Sequence, residues 1–318
     1  MKNNKQIHVI ITLKERIELI IFAIKIMTIS GFSFVRNGDI LGYPFVESLR
    51  SLLPICDEII VAVGNSNDLT REKIQNLSDN IRIIDTIWDD NKRLHGSILA
   101  EQTDIALSHC KGDWCIYLQA DEVLHEDDYS LIKREMSNAL GEKSIESLLF
   151  RWHHFFGSYD FTGVGRQWYR REIRAFKNTG KVISWRDAQG FRCKNDDGTI
   201  RKLYAYQTEA RIFHYGWVRH PRIQKAKQLA FHRLYHDDKW LEENIPQSDE
   251  FECNCYEVQP FTQTHPEIMR HRIENDSSWT KHFDPTRTLK KPFAMAVTDY
   301  IEKITGFRIG EYKNFIEV

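Results

Sequence analysis

The chain has 318 residues, of which 44 are Lys or Arg and 45 are Asp or Glu, so its formal net charge is −1. This length suffices to bury a substantial core and to form one large domain, alone or with an appendage. The balanced charge argues against a general nucleic-acid binder, whose surface would be basic, so nucleic acid is not expected among the partners. Six cysteines are few for this length, which is typical of reduced thiols and predicts a cytoplasmic location.

The first 24 residues form an extension that precedes the repeated pattern described below. Residues 7–24 are strongly apolar, but Lys14, Glu15, Arg16 and Glu18 interrupt them. The uncharged stretches fall far short of the roughly 20 residues that a membrane span needs, and no small-residue cleavage site follows a single apolar core. We expect a helix packed on the domain. An interfacial anchor and a segment upstream of the natural start are the alternatives, so a peripheral membrane contact stays open.

Strand-like and helix-like segments alternate over residues 25–118. Short apolar runs without charge are typical of buried strands, whereas apolar residues that recur every three or four positions indicate helices. Alternating strands and helices predict a parallel sheet covered by helices on both faces. The predicted strands are residues 25–30, 59–63, 81–84 and 114–118, a glycine-punctuated loop covers 31–42, and helices begin near Phe45, Thr70 and Gly96.

The pattern changes beyond residue 130. A helix over 128–140 and a strand over 148–152 precede an aromatic and basic segment, a further strand ends at Trp217, and a helix follows Pro221. Residues 244–285 are polar and rich in loops, which favours an accessory lobe or lid. We therefore divide the chain into the extension 1–24, a main domain 25–243 and a C-terminal accessory region 244–318.

The most informative stretch is residues 112–126, where an uncharged strand ends abruptly in Gln119, Ala120, Asp121 and Glu122. In open α/β sheets, ligands bind outside the carboxyl ends of the strands. A carboxylate at that position can hold Mg²⁺ or Mn²⁺ against a diphosphate, because these hard cations prefer oxygen ligands. The alternative is a solvated strand end whose acids cap the next helix.

Several further motifs arrive in a fixed order around this stretch. Arg-Asn at 36–37 follows the first strand, Ser66, Asp68 and Thr70 follow the second, and Gly-Asp-Trp at 112–114 precedes Gln-Ala-Asp at 119–121. Residues 25–130 thereby resemble the inverting glycosyltransferase family 2. The resemblance implies an α/β fold of the GT-A type, which is a nucleotide-binding, open, mostly parallel sheet flanked by helices. Here a C-terminal accessory region of helices and loops would follow it.

Two positions depart from the family pattern. Val63 replaces the acid that usually ends the second strand and recognises the nucleotide base, and Gln119 replaces the first Asp of the Asp-x-Asp motif. An amide can hydrogen-bond a ribose or reach a metal through its carbonyl oxygen, but it brings no negative charge. The departures bear on the base and on the metal rather than on the fold.

The resemblance and the loop positions together define the expected site. Arg36, Asn65, Asp68, Gln119 and Asp121 are expected to bind the nucleotide sugar. Arg36 would pair with phosphate, whereas Asp68 could contact the nucleotide or cap the helix that follows. The resemblance also implies Mn²⁺ or Mg²⁺ held by Asp121 and by a late histidine. His214 is the candidate, because neutral imidazole binds Mn²⁺, and a buried core ring is the alternative.

The resemblance places the catalytic base on the acceptor side, between the fifth strand and the late histidine. Asp187 is the first choice, because it follows a predicted strand and has an aromatic neighbour that would exclude solvent. Asp160, after a Gly-Ser-Tyr loop, is the second choice. Glu172 lies among arginines and is expected to be salt-bridged, and Asp196-Asp197-Gly198 is typical of an exposed hairpin turn.

Two further clusters admit an ordinary and a functional interpretation. The basic residues Arg219, Arg222, Lys225 and Lys227 are expected to be partly solvated, with a few facing an anionic diphosphate or a lipid-phosphate acceptor. A second cluster would suit zinc, but the single residue between its cysteines is tighter than in structural zinc sites, so ordinary side chains are favoured. That cluster comprises Cys253, Cys255, His265 and His271.

These features predict a glycosyltransferase that moves a sugar from a nucleotide-sugar donor to an acceptor hydroxyl with metal assistance, in glycan or polysaccharide biosynthesis. The resemblance implies inversion in a single displacement, onto a glycan, a lipid-linked or a small-molecule acceptor. A nucleotidyltransferase is an alternative, although the segment after the first strand matches a glycine-rich phosphate loop poorly. A non-catalytic sugar- or nucleotide-binding protein is another, made plausible by Val63 and Gln119.

Overall fold

Strands and helices alternate along the first half of the chain in the computed structural model, which describes residues 27–89 and 95–318. The extension 1–24 and the start of the predicted first strand lie outside the described residues. The strands are β1 Ile29–Val35, β2 Glu58–Gly64, β3 Ile81–Thr86, β4 Trp114–Tyr117, β5 Glu122–Leu124, β6 Ser147–Phe156, β7 Phe161–Gly163, β8 Arg171–Lys177, β9 Val182–Trp185, β10 Gly190–Lys194, β11 Ile200–Trp217, β12 Val258–Pro260 and β13 Phe315–Glu317. The α-helices are α1 Phe45–Leu52, α2 Thr70–Gln75, α3 Ser97–Ser108, α4 Tyr129–Leu140, α5 Pro221–His232, α6 Asp238–Asn244, α7 Arg270–Thr280 and α8 Phe293–Thr305.

The sheet is parallel in its first half and mixed in its second. Strands β3, β2, β1 and β4 lie side by side in this order and pair in parallel. Beyond β4 the order continues β8-β6-β11-β10-β9, with β8 antiparallel to both neighbours and β6 parallel to β11. Strand β5 also pairs with β11. Strand β13 pairs with β11 as well, so the C-terminal region contributes to the main sheet. The predicted α/β fold is confirmed, with its parallel strands concentrated in the N-terminal half of the sheet, which as a whole is mixed rather than mostly parallel.

The first strand begins later than predicted. The prediction ended it at residue 30 and began a loop at Gly31, whereas β1 runs on to Val35. A Cβ on Gly31 would lie 3.0 Å from the Cys56 sulfur, so this glycine permits close packing rather than ending the strand. Ser33 is accommodated in the buried strand because its hydroxyl donates to the Leu118 carbonyl oxygen at 2.7 Å.

Helices cover both faces of the sheet with apolar side chains. On one face, α1 and α4 bury Leu49 and Ile132 in a cluster that includes Ile59 of β2. On the other face, α3 packs Ile98 and Ala106 into a second buried apolar cluster. The helices predicted near Phe45, Thr70 and Gly96 begin at Phe45, Thr70 and Ser97. Among the described residues, none of the helices combines the length and the apolar content needed to cross a bilayer.

A buried ion pair joins three strands at the end of β4. Arg174 of β8 is 1 % exposed and Glu122 is fully buried. The guanidinium donates from Nε and Nη2 to the two Glu122 carboxylate oxygens, each at 2.8 Å. The Gln119 backbone N–H and the Trp152 indole N–H also donate to this carboxylate, at 3.0 and 3.3 Å. Burial works against the charge on Arg174, but Glu122 outweighs it and raises the pKa of the guanidinium. The Glu122 carboxylate thus accepts four hydrogen bonds. Such full hydrogen bonding is the condition under which a buried ion pair is tolerated.

We expect Arg174→Met to unfold at much lower denaturant than the parent, because it leaves the Glu122 carboxylate buried and unpaired. Breaking such a pair costs about 3–5 kcal/mol of unfolding free energy. Lys181→Met is the matched control, because its ion pair with Asp196 is exposed on both sides and should contribute little. Urea unfolding followed by circular dichroism measures both changes. Equal midpoints for the two variants would contradict this assignment.

Candidate functional site

Strand pairing brings Asp121 and His214 together. In the antiparallel pair of β5 and β11, His214 lies opposite Glu122, and the Tyr215 backbone N–H donates to the Asp121 carbonyl oxygen at 2.8 Å. The Asp121 Oδ1 and His214 Nε2 atoms are consequently 3.8 Å apart. Both side chains are buried, at 5 % and 9 % exposure. The two residues predicted as metal ligands therefore converge at the carboxyl end of the parallel strands.

A second histidine sets the tautomer of His214. Nε2 of His154 donates to the Tyr169 carbonyl oxygen at 2.9 Å, which leaves Nδ1 of His154 as an acceptor when the ring is neutral. His214 Nδ1 lies 3.0 Å from that acceptor and must carry the proton. Burial lowers the pKa of both rings, that of His154 well below its ordinary value, so both are neutral near pH 7. The lone pair of His214 Nε2 therefore faces the Asp121 carboxylate.

Two cations from the predicted basic cluster share the other oxygen of Asp121. Lys227 Nζ lies 3.2 Å and Arg219 Nη2 lies 3.5 Å from Asp121 Oδ2. Both also donate to the Gly216 carbonyl oxygen, and the Tyr43 ring lies 4.4 Å from the guanidinium and 5.1 Å from the ammonium. Burial would raise the pKa of Asp121, but Lys227, His214 and Arg219 outweigh it and lower the pKa well below its usual range.

The remaining members of that basic cluster point elsewhere. Arg222 is exposed and lies 3.5 Å from the Glu250 carboxylate, whereas Lys225 donates to the Pro246 carbonyl oxygen. Burial, followed by the charge of Arg219, lowers the pKa of Lys227 to about 8. The cluster is therefore the expected mixture, and the two residues that face the cleft give it two positive charges against one carboxylate.

Asp121 and His214 are the residues that could hold a hard divalent cation. A Cβ placed on Gly216 would lie 2.3 Å from His214 Nε2 and 2.9 Å from Asp121 Oδ2, so only a glycine lets both side chains approach the backbone this closely. A carboxylate oxygen and a neutral imidazole nitrogen are both competent ligands for Mn²⁺. Within residues 27–89 and 95–318, no third His, Cys, Asp or Glu joins them. Water and a phosphate would have to complete the coordination shell, as is usual for Mg²⁺.

Gln119 turns away from this pair of ligands. Its side-chain amide donates to the Ala188 carbonyl oxygen at 3.4 Å. Glu122, the next acid on the chain, is held by Arg174. Of Gln119, Asp121 and Glu122, only Asp121 turns a carboxylate toward His214.

Arg36 and Asn65 lie together at the carboxyl ends of β1 and β2. The Arg36 guanidinium lies 5.3 Å from the ring centre of Trp88, and Asn65 Oδ1 accepts from the Trp88 backbone N–H at 3.0 Å. A Cβ on Gly64 would lie 2.7 Å from the Trp88 indole nitrogen, which shows how closely the ring is held. Trp88 was not predicted as a site residue; its position directly after β3 was the available signal. These three side chains form one wall at the strand ends.

Asp68 fastens two loops rather than facing open space. Its Oδ2 accepts from the backbone N–H groups of Asp39 and Ile40 at 3.0 and 2.8 Å. Its Oδ1 accepts from the backbone N–H of Thr70, the first residue of α2, at 3.0 Å. Burial opposes ionisation, but the hydrogen bond from the Thr70 hydroxyl and these backbone bonds together outweigh it and lower the pKa of Asp68. Of the two roles considered for this residue, the contacts favour the one at the start of the helix.

Asp187 occupies a strained turn beside the end of β4. Its neighbours Arg186 and Ala188 have φ angles of 57° and 62°, which non-glycine residues rarely adopt. The hydroxyl of Tyr235 donates to Asp187 Oδ2 at 2.7 Å, and the Ala188 carbonyl oxygen accepts from Gln119. Strained backbone of this kind persists where its surroundings hold it, and it is concentrated at functional sites.

The other acids considered for the base lie in different surroundings. Asp160 is exposed in the turn between β6 and β7. Glu172 was expected to be salt-bridged, yet within the described part of the chain it has no ion pair; its carboxylate accepts from its neighbour's backbone N–H and from Asn314. Burial raises the pKa of Glu172 to about 7. Asp197 accepts from Thr199 in the β10–β11 turn, which confirms the predicted hairpin.

The residues weighed for zinc are engaged elsewhere. His265 lies between the Tyr215 hydroxyl at 2.9 Å and the Tyr159 carbonyl oxygen at 3.1 Å. Cys255 is buried in an aromatic cluster with Trp168, and His271 contacts Asn275. All six cysteines are free thiols.

Comparison with solved structures returns remote similarity to structures of two bacterial proteins. S. aureus TarS in complex with UDP matches at 12% identity over 51% of this chain and 52% of its own, with a TM-score of 0.34. TarS with UDP-GlcNAc matches at 9% identity over 70% and 77%, with a TM-score of 0.37. Mycobacterium tuberculosis glucosyl-3-phosphoglycerate synthase with Mn²⁺, UDP and phosphoglyceric acid matches at 16% identity over 40% and 43%, with a TM-score of 0.28. The alignment with the UDP complex of TarS spans about half of that chain.

Comparison at the level of sequence gives a more local result. No curated protein matches the chain. A family model does match, and its boundaries, residues 43–140, include α1, the Asp68 turn and the strand that ends before Asp121. The resemblance inferred from the sequence is therefore confirmed for this segment: residues 43–140 carry the pattern of glycosyl transferase family 2.

Proposed function

We propose that this protein is a glycosyltransferase that moves a sugar from a nucleotide-sugar donor to an acceptor hydroxyl. One observation carries the proposal. Asp121, which lies in the segment that matches the family model, converges with His214, Lys227 and Arg219 on a single point at the sheet edge. Ligands of open α/β sheets bind at this edge.

The charges of the site suit a diphosphate. Asp121 contributes one negative charge, Lys227 and Arg219 contribute two positive charges, and His214 is neutral, so the cluster has a net positive charge. Lys227 keeps one N–H beyond those bonded to Asp121 and Gly216. Arg219 also donates to the Leu41 carbonyl oxygen and to Gln224, so one N–H of its Nη2 remains. Charge-assisted bonds to phosphate oxygens are strong. Arg36 and Asn65, beside Trp88, would hold the nucleoside end. UDP is bound in the compared TarS and synthase structures, so UDP-sugars are the first donors to test.

Asp121 Oδ1 and His214 Nε2 are the atoms that would hold Mn²⁺ or Mg²⁺. When bound, such an ion would supply positive charge that stabilises the departing diphosphate. The protein's own part is to keep Nε2 unprotonated through His154, and to keep Asp121 ionised through Lys227 and Arg219. Gln119 adds no charge to the site. Lys227 and Arg219 would therefore neutralise a larger share of the negative charge of the diphosphate.

Asp187 would take the proton of the acceptor hydroxyl. The Tyr235 hydroxyl orients the carboxylate, and the strained turn fixes it beside the end of β4. A base that acts while the acceptor oxygen attacks from the face opposite the diphosphate gives inversion in one displacement. The acceptor would be a glycan, a lipid-linked or a small molecule in glycan or polysaccharide biosynthesis. A cytoplasmic location remains a prediction, consistent with free thiols.

The proposal is tested by thermal unfolding of the full chain with UDP, UDP-glucose and UDP-GlcNAc, with and without Mn²⁺. A ligand that binds only the folded state at about 100 times its Kd stabilises that state by about 2.7 kcal/mol. Release of free sugar or transfer to an added acceptor is then measured with the best ligand. Absence of any nucleotide-dependent shift would contradict the proposal. Tight binding without sugar release for any acceptor would favour a non-catalytic binding protein.

Gly216→Ala should remove Mn²⁺ binding while the fold is retained, because the new methyl group would occupy the space between Asp121 and His214. Electron paramagnetic resonance of Mn²⁺ measures free and bound ion directly. Gly141→Ala is the matched control, since nothing lies within 4 Å of its Cβ position. Asp121→Asn should behave like Gly216→Ala, because an amide lacks the charge that a divalent ion requires. If Gly216→Ala binds Mn²⁺ with the parental affinity, the ion does not bind between Asp121 and His214.

Asp187→Asn should reduce the rate of transfer by about 10²–10⁴-fold, which is the usual contribution of a general base. Donor affinity should stay at the parental value, because the carboxylate acts on the acceptor. Asp160→Asn serves as the comparison and should transfer at close to the parental rate. If Asp160→Asn loses the activity and Asp187→Asn keeps it, the role of base passes to Asp160.

A further inference from the structure

Helix α8 packs its polar face against the protein. Asp299 lies 2.7 Å from the Lys291 ammonium. Glu302 accepts from Arg308 at 2.8 Å and also pairs with Arg166 at 3.3 Å and Arg170 at 3.4 Å. Ordinarily a helix at a protein surface turns its charged residues outward and its apolar stripe inward. In α8 the two acids, Asp299 and Glu302, face the domain.

The opposite face of α8 is an exposed apolar stripe. Phe293, Val297, Tyr300 and Ile304 recur alternately four and three residues apart, so they lie on one side of the helix. They are 84 %, 42 %, 66 % and 65 % exposed, and Phe307 continues the stripe at 67 %. None of the residues of α8 is buried. We refer to these five side chains as the α8 stripe. Contiguous exposed apolar surface of this kind marks an interaction site.

The charges next to the α8 stripe are positive. Lys290 and Lys303 are exposed, and within the described part of the chain neither forms an ion pair. The neighbouring acids Asp299, Glu302 and Glu311 are all held by cations on the inner side, Glu311 by Arg170 at 2.8 Å. A second copy of the chain would therefore meet the stripe with the same lysines and no complementary acid. An anionic surface would complement it.

We propose that the α8 stripe binds the surface of an anionic membrane, with the aromatic and aliphatic side chains at the level of the acyl chains and Lys290 and Lys303 at the lipid phosphates. An amphipathic helix with Phe, Tyr and Ile on one side and lysines beside them is suited to this interface. The polar contacts of Asp299 and Glu302 keep the helix on the domain while its stripe enters the lipid. The inference does not depend on the proposed function.

The helix is also connected to the candidate site. Arg308, directly after α8, donates to the Trp168 carbonyl oxygen at 2.8 Å. The Trp168 ring stacks on His154 with 5.1 Å between ring centres, and His154 bonds to His214. The α8 stripe is thus linked to His214 of the candidate site by a short chain of contacts.

Flotation of the full chain with phosphatidylcholine vesicles, with and without phosphatidylglycerol, tests this inference. We expect binding only to the anionic vesicles. Ile304→Ser together with Phe307→Ser should weaken it by roughly tenfold or more, through lost apolar burial. Lys290→Glu and Lys303→Glu should each weaken it by about fivefold. Ile200→Ser, at an exposed isoleucine outside the stripe, is the control and should bind as the parent does.

Three outcomes would overturn the inference. Equal flotation of the stripe variants and the parent would show that the membrane, if bound at all, is bound elsewhere. A parent dimer in sedimentation equilibrium that the stripe variants dissociate would assign the stripe to a second copy. Loss of binding on deletion of residues 1–24, with full binding by the stripe variants, would assign the membrane contact to the N-terminal extension. Thermal melting of each variant establishes that it is folded.

Discussion

The pair formed by Arg174 and Glu122 is the constraint on which the site depends. It is buried completely, and it fixes the end of β4 to β8 and, through the Trp152 indole, to β6. Asp121 is the residue directly before Glu122, so its carboxylate can face the cleft only while Glu122 is held on the other side of the chain. The ionic pair therefore has little to do with binding directly, yet it determines where the binding carboxylate lies. Buried ion pairs are weak evidence for stability, but they can specify one arrangement among several.

Cations outnumber carboxylates in the candidate site. The sequence led us to expect a metal held by Asp121 and His214, and the structure places two cations, Lys227 and Arg219, beside this carboxylate and this neutral imidazole. Each cation is desolvated and is partly compensated by the face of the Tyr43 ring, which lies against both. Electrostatic groups that are fixed before the substrate arrives need no reorganisation during the reaction. Lys227 and Arg219, held by Asp121 and the Gly216 carbonyl oxygen, are arranged in this way.

Much of the fold could be predicted from the sequence because hydrophobic periodicity is local. The strands β2, β3 and β4 and the helices between them follow from apolar runs and spacing, and Asp121 could be recognised from its position after such a run. The end of β1 was misplaced because Gly31 and Ser33 look like loop residues, although one serves close packing and the other has a buried hydrogen-bond partner. His214 was predicted through the family resemblance.

The partners of these residues could not be predicted, because they depend on register and on contacts distant in sequence. His154 sets the tautomer of His214 only because β6 and β11 pair with these two residues opposite each other. Lys227 reaches Asp121 from a helix whose direction the sequence does not specify. The positive φ angles around Asp187 occur at Arg186 and Ala188, residue types that give no signal of a left-handed backbone.

The long strand β11 also separates a part of the molecule that can change in length from a part that cannot. It pairs with β6 at Arg211 to His214, and a register irregularity between Gln207 and Arg211 divides this portion from the hairpin formed with β10. An added residue at the exposed tip, around Asp197, would therefore be absorbed before it reaches His214. Homologous chains could lengthen or shorten this hairpin freely, and a fluorescent or affinity label inserted there would report on the protein without displacing the histidine.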